Sequence, residues 1–234
     1  MHYFALLLGP EATETPAPED QAAEMAAYQS FHEQAATAIR AGDALTATSD
    51  GVRISGGPDA PVITDGPFPE GAEVAGGYYV FEAENLDDAL ALARGIPAAK
   101  RGAVEVWPMV MWNEPEKPLD GTNWIALLLE PAHHTHAPDS PEFQTGLEQH
   151  GIFGAAAGEH IRGGAALQPA STATTVRVRN GEAILTDGPY VEGAEVANGF
   201  YLLNATDGDE AAKIASMIPA TTVELRQLAG FSAL

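Results

Sequence analysis

The chain has 234 residues, 45% of them apolar and none of them cysteine. That is enough to fill one or two cores, and it excludes disulfides, thiolate metal sites, iron–sulfur clusters and a cysteine nucleophile. A net charge of −22 repels phosphate backbones and anionic membranes, so neither nucleic acid nor membrane is an expected partner.

In chain order, a short apolar strand opens at His2–Leu8. It lacks the basic start of a secretory signal and is far shorter than the ~18 apolar residues of a membrane span, so a cytoplasmic protein is expected. A helix over Glu19–Ala38 follows, with Pro18 suited to its first turn. Val52–Ser55 and Val62–Thr64 alternate in strand fashion, and a further strand covers Gly77–Ala83. A second helix starts after Asn85 and ends near Pro97, with Leu86, Leu90 and Ala93 as its buried stripe. Ala103–Met109 reads as a closing strand. Met111–Thr122 is polar, contains two prolines and has no periodicity, and so reads as an extended linker.

The same order then returns. A strand at Asn123–Leu129 precedes a helix at Pro141–Ala157, which Asp139 or Ser140 can cap. Thr175–Arg179 and Ala183–Thr186 flank Asn180-Gly181, a strong hairpin turn. A strand at Gly199–Ala205, a helix after Asp207 striped by Ala211, Ile214 and Met217, and a strand at Thr222–Leu228 complete the series. Thr64–Tyr79 (TDGPFPEGAEVAGGYY) and Thr186–Tyr201 (TDGPYVEGAEVANGFY) agree at twelve of sixteen positions, at an offset of 122. The offset also aligns Phe31 with Phe153, Gly42 with Gly164 and Pro97 with Pro219. Such self-similarity marks a duplication: copy one over residues 1–110, a linker over 111–122, copy two over 123–234. Lys100–Gly102 has no counterpart in the second copy.

Each copy reads β-α-β(ββ)-α-β, an α+β unit with both helices on one face of an antiparallel sheet, as in ferredoxin-like folds. The uncovered faces must meet something apolar or enclose a ligand cavity. The expected solution is a pseudo-dimer within one chain, its two sheets packed about a pseudo-twofold axis.

The runs TDGPFPEGAEVAGGYYVFEAENLDDALALARGIP and RGAVEVWPM, with NGEAILTDGPYVEGAEVANGFYL and VELRQL in copy two, resemble the YCII-related family, in particular the branch named for its D-G-P-F motif. The resemblance covers nearly the whole chain, twice, and implies a dimeric α+β barrel. The chain departs from the pattern in two places: EGAE stands where members commonly show E-T-K-E, and the arginine of the last strand is kept as Arg226 but replaced by Trp107. Some relatives in the wider family use a His/Asp pair in the cleft, and one type eliminates halide from a chlorinated aromatic. Here Met25 and Leu147 fall where those relatives carry the histidine. Relatives of the D-G-P-F branch are also often encoded beside extracytoplasmic-function sigma factors, so the resemblance implies a regulatory context.

Several side chains are candidates for chemistry. Asp65 and Asp187 head the repeated motif, either as a catalytic carboxylate at a cavity mouth or as the cap of their own turn before Gly-Pro. Glu70 with Glu73, and Glu192 with Glu195, form pairs suited to a proton or a cation, or a solvated rim. Arg40 and Arg162 lie in matching strands as anchors for an anionic ligand or partners of the motif carboxylates. Tyr79 and Tyr201, with Phe68, Tyr78, Phe81, Tyr190 and Phe200, read as core or pocket wall, and alternation puts Tyr78 and Tyr79 on opposite faces. His133, His134 and His136 offer ring nitrogens to a metal, where copy one has Ala12, Thr13 and Thr15. His32, His150 and His160 read as isolated packing or surface residues. No phosphate loop, nucleophile elbow or nucleotide fingerprint is present, and no cofactor is expected. These features point to binding or transformation of a small molecule in a cavity beside the motif. The alternative is a non-catalytic regulatory or interaction module working with a sigma factor.

Overall fold

The computed structural model describes residues 1–11, 17–67, 73–116, 119, 121–189 and 195–231. The first half runs β1 (His2–Gly9), α1 (Pro18–Ala35), β2 (Ile39–Ala44), β3 (Val52–Ser55), β4 (Val62–Asp65), β5 (Val74–Glu82), α2 (Leu86–Gly95), α3 (Ala98–Arg101) and β6 (Ala103–Asn113). The second runs β7 (Asn123–Pro131), α4 (Pro141–Ala157), β8 (Ile161–Leu167), β9 (Thr174–Arg179), β10 (Glu182–Asp187), β11 (Glu195–Asn204), α5 (Gly208–Ala215) and β12 (Thr222–Gln227). The protein is mixed α+β, with antiparallel strand ladders and, among the described residues, no helix long and apolar enough to cross a membrane. Helix starts follow local chemistry: the side chains of Ser140, Asn85 and Asp207 each accept the N–H three residues on, at 3.1, 3.0 and 2.9 Å, satisfying donors a helix leaves orphaned.

Two features are non-local. First, β6 pairs with β1 through Pro108 and then with β8 from Met109 to Asn113, with a register shift between Met109 and Met111. Met111–Asn113, expected as the start of the linker, therefore continue the strand, because β8 offers an open ladder there. At the opposite end β2 returns to β12: Leu45 bridges Leu228, and Thr46 N donates to Gln227 O at 3.0 Å. The strands β2-β5-β1-β6-β8-β11-β7-β12 thus close on themselves. Phe4, Tyr78 and Trp107 from one half pack inside with Ile125, Phe200 and Leu202 from the other, and Phe4 stacks on Phe200 at 4.7 Å. Each such burial contributes roughly 1.5–3 kcal/mol. The facing sheets are filled with side chains, so of the two alternatives for their uncovered faces it is apolar packing, and not a ligand cavity, that lies between them.

Second, the hairpins are exchanged. β3 pairs with β12 of the second half, Ile54 opposite Val223, and β9 pairs with β6 of the first, Val176 opposite Val104. Ion pairs pin both exchanges. Arg177 donates to both carboxylate oxygens of Glu73 at 3.0 and 2.8 Å, and Arg53 pairs with Glu195. The helices cover the outer sheet faces: Phe31, Ala89 and Leu90 over Tyr79 and Phe81, and Phe153, Ala211 and Ile214 over Ala126 and Leu203. Tyr78 and Tyr79 lie on opposite faces, Tyr78 inside and Tyr79 beneath α1.

Candidate functional site

A cavity of about 410 Å³ lies between α4 and the strands β8 and β11, with the end of β6 as a further wall. Its origin is compositional. Helix α4 buries only Phe153 and Ala157, both towards its C-terminal end. Gly146, nearer the start, has open space where a side chain would project. Gly163, Gly164 and Gly199 line the sheet side and add no bulk. The walls are mainly apolar, with Met111, Trp112, Leu128, Phe143, Leu147 and Ile161. Polar groups come from Asn113, His136, Glu142, His150, Asn198 and Tyr201.

Within this wall the Tyr201 hydroxyl and His150 Nδ1 are 2.9 Å apart. Phe153 meets the tyrosine ring edge-on at 5.0 Å. Burial holds the His150 imidazole below its ordinary range, so it is neutral at neutral pH. The same cause pushes the Tyr201 phenol up to about 12, so it keeps its proton. A neutral imidazole touching a phenol can donate, accept or pass a proton without creating charge. The first half repeats the contact with another histidine: His32 Nε2 lies 2.7 Å from the Tyr79 hydroxyl. His150 matches Tyr28 in the repeat and His32 matches Gly154. Positions four apart share a helix face, so a histidine on either turn reaches the same tyrosine. Both histidines read as singles in the sequence because they fall out of the repeat register. The signal that would have found them is helical spacing rather than alignment.

The remaining sequence candidates fall elsewhere. Asp65 and Asp187 are exposed at the ends of β4 and β10, opposite Val52 and Thr174. Among the described residues none of the D-G-P-F motif lines the cavity. Its glycines do the local work. Gly66 N donates to Gly51 O at 3.0 Å and Gly188 N to Ala173 O at 2.8 Å, equivalent bonds in the two copies. A Cβ on Gly66 would lie 1.8 Å from Thr48 O, and Gly188 has φ +84°, so glycine is required at each for a different reason. Glu73 and Glu195 are taken up by Arg177 and Arg53, and Glu195 also accepts from Thr222 Oγ1 at 2.5 Å. Glu70 and Glu192, with Phe68, Tyr190, Ala12, Thr13 and Thr15, lie outside the described residues. Arg40 donates to Glu82 at 2.9 Å and to Thr37 O at 3.0 Å rather than to a motif carboxylate, and this guanidinium keeps the Glu82 carboxyl below its usual range. Arg162 is exposed. Tyr201 lines the cavity, whereas Tyr79 is packed, 6% exposed. His133 and His134 stack edge-on at 4.3 Å, with His134 4.0 Å from Glu130, while His136 turns to the cavity. Among the described residues no three His, Asp or Glu side chains are grouped to hold a metal ion, and His136, at the cavity, is set apart from the His133–His134 pair.

The family model for the YCII-related domain matches residues 1–113 and again 128–230. No curated protein matches the sequence. Among solved structures, one provisionally named chlorite dismutase TA0507 is similar at 9% identity and a TM-score of 0.46, over 97% of this chain and 94% of that one.

Proposed function

This chain belongs to the YCII-related family, with two of its domains in tandem, and from that premise we propose that it binds a small, largely apolar molecule between α4 and the sheet of its second half. His150 and Tyr201 are its polar anchors. The observation that carries the reading is a cavity of about 410 Å³ with mostly apolar walls and a few convergent polar groups, the character expected of ligand sites. In this reading the two copies are ferredoxin-like halves of an intrachain pseudo-dimer of the D-G-P-F branch, and the motif anchors the exchanged hairpins. Asp65 and Asp187 then have no ligand role.

A thermal-shift screen of neutral aromatic and aliphatic compounds tests this. Binders are expected to stabilise the wild type and the Asp65→Asn/Asp187→Asn variant alike, and to lose their effect in Leu147→Trp, which fills the cavity. Binding that survives Leu147→Trp, or that vanishes with the aspartates, overturns the assignment. The second reading, an interaction module partnering a sigma factor, draws on the outer strands β4 and β10, where Val62, Ile63, Ile184 and Leu185 stand exposed. Capture of an extracytoplasmic-function sigma factor that Ile63→Lys abolishes would favour it.

A further inference from the structure

The proton inventory of the His150–Tyr201 contact limits what it can do. A neutral imidazole carries one N–H and one bare nitrogen, and a phenol one O–H. Nδ1 is engaged at 2.9 Å, and Nε2 has no hydrogen-bond partner among the described residues. Two arrangements satisfy the contact. In the first, the phenol donates to Nδ1, leaving Nε2–H as a donor and the phenol oxygen as an acceptor. In the second, Nδ1–H donates to the phenol oxygen, leaving Nε2 as an acceptor and the phenol O–H as a donor. Either way the pair offers one donor and one acceptor, exchanged in position, with neither group charged.

We propose, resting on the binding reading above, that His150 and Tyr201 form a neutral proton relay and that the cavity takes uncharged, enolisable carbonyl compounds, whose prototropic shift the relay catalyses. In the forward step Nε2 takes the proton from the carbon beside the carbonyl. The C–H electron pair becomes the new C=C bond, and the carbonyl π pair moves to oxygen. That oxygen takes the phenol proton, and the phenol oxygen takes the proton of Nδ1. One C–H bond is broken and one O–H bond formed in the substrate, nothing is oxidised or reduced, and the pair ends in its other tautomer, set for the reverse step. A weak imidazole base works only on an activated carbon, which selects 1,3-dicarbonyl compounds. Glu142 in the wall and the net charge of −22 disfavour anionic ones. The first half supplies an internal control: its His32–Tyr79 contact lies outside this cavity, with the tyrosine buried, stacked on Phe81 and edge-on to Phe31.

The test uses benzoylacetone, a neutral aromatic 1,3-dicarbonyl whose enol absorbs in the near ultraviolet. Its ketonisation is followed in buffer after dilution from an apolar solvent. The intact protein is expected to accelerate it beyond an equal concentration of free imidazole. Tyr201→Phe and His150→Gln should each lose about tenfold or more of that acceleration, and His32→Gln none. Tyr201→Phe should still bind the probe, read as a thermal shift, and circular dichroism checks that both variants fold. No acceleration by the wild type, or full acceleration by Tyr201→Phe, overturns the relay. Failure of the binding reading is separate: no neutral compound, benzoylacetone included, then shifts the melting temperature.

Discussion

In the first half Tyr79 lies beneath α1, with Phe31 edge-on at 5.3 Å and Phe81 stacked at 5.7 Å. In the second, Tyr201 lies beneath α4 with Phe153 edge-on at 5.0 Å, and Leu203 stands at the position of Phe81. Tyr28 packs against the first core, where burial pushes its phenol up; the second half has His150 there. Glu24 is tied to Arg101 of α3, whereas the second half has Gly146 at that helix position and no counterpart of Lys100–Gly102. Arg179 donates to the α3 carbonyls of Ala99 and Lys100, at 3.0 and 3.1 Å, holding that short helix in place. The first copy is thus closed by aromatics and an inserted turn, and the second is left open by glycines. The shared motif is the same in both, so the difference between a packed half and a hollow one lies in a few helix positions and a three-residue insertion.

The comparison can be broken by opening the closed half. Tyr28→Ala removes a half-buried ring, and a loss of about 2 kcal/mol is expected in urea unfolding. Calorimetry with a compound that binds the wild type should then count a second site per chain. A stoichiometry that stays at one would show that Tyr28 is not what closes the first half. A smaller effect sharpens the open half: Gly146→Ala adds a methyl where nothing lies within 4 Å, so a gain of up to about 1 kcal/mol from helix propensity is expected. Destabilisation would mean that a side chain at position 146 meets the sheet.

The smallest effect is a pH dependence. Burial lowers the pKa of both His32 and His150 from about 6.5. On acidification the unfolded chain therefore takes up protons first. Stability is unaffected above about pH 6.5 and declines as pH falls through the window below it. Glu11 and Glu82, lowered from about 4.5 by hydrogen bonds from Thr48 and Arg40, act only in a more acid window. The urea midpoint should hold from about pH 7.5 to 6.5 and drop from about pH 6.5 to 5.5, and His150→Gln should flatten part of that drop. A wild-type midpoint constant over this range would contradict the neutral, buried imidazole.

The tandem copies and the local elements were legible in the sequence, because helix caps, the Asn180-Gly181 turn and period-two strands are written in neighbouring residues. The exchange of hairpins was not, since nothing near Val52 or Thr174 states which last strand they will join. Alternation foretold the opposite faces of Tyr78 and Tyr79. The motif aspartates drew attention because they recur in both copies, yet what recurs there is a glycine docked on a carbonyl. The cavity arises where the copies disagree, at Gly146 and His150, and a comparison that rewards agreement looks past such positions.

The traded hairpins also bear on how this molecule can be divided. A protein cut between Asn113 and Asn123 would leave β6 without β8 and β9, and β12 without β3, each fragment presenting bare ladder groups to solvent. Neither piece is a self-sufficient module. Supplied together in trans they carry complementary edges, the property a split reporter needs, and the severed chain would be mended without a covalent link by strand pairing, the shared core and the Arg53–Glu195 and Arg177–Glu73 pairs.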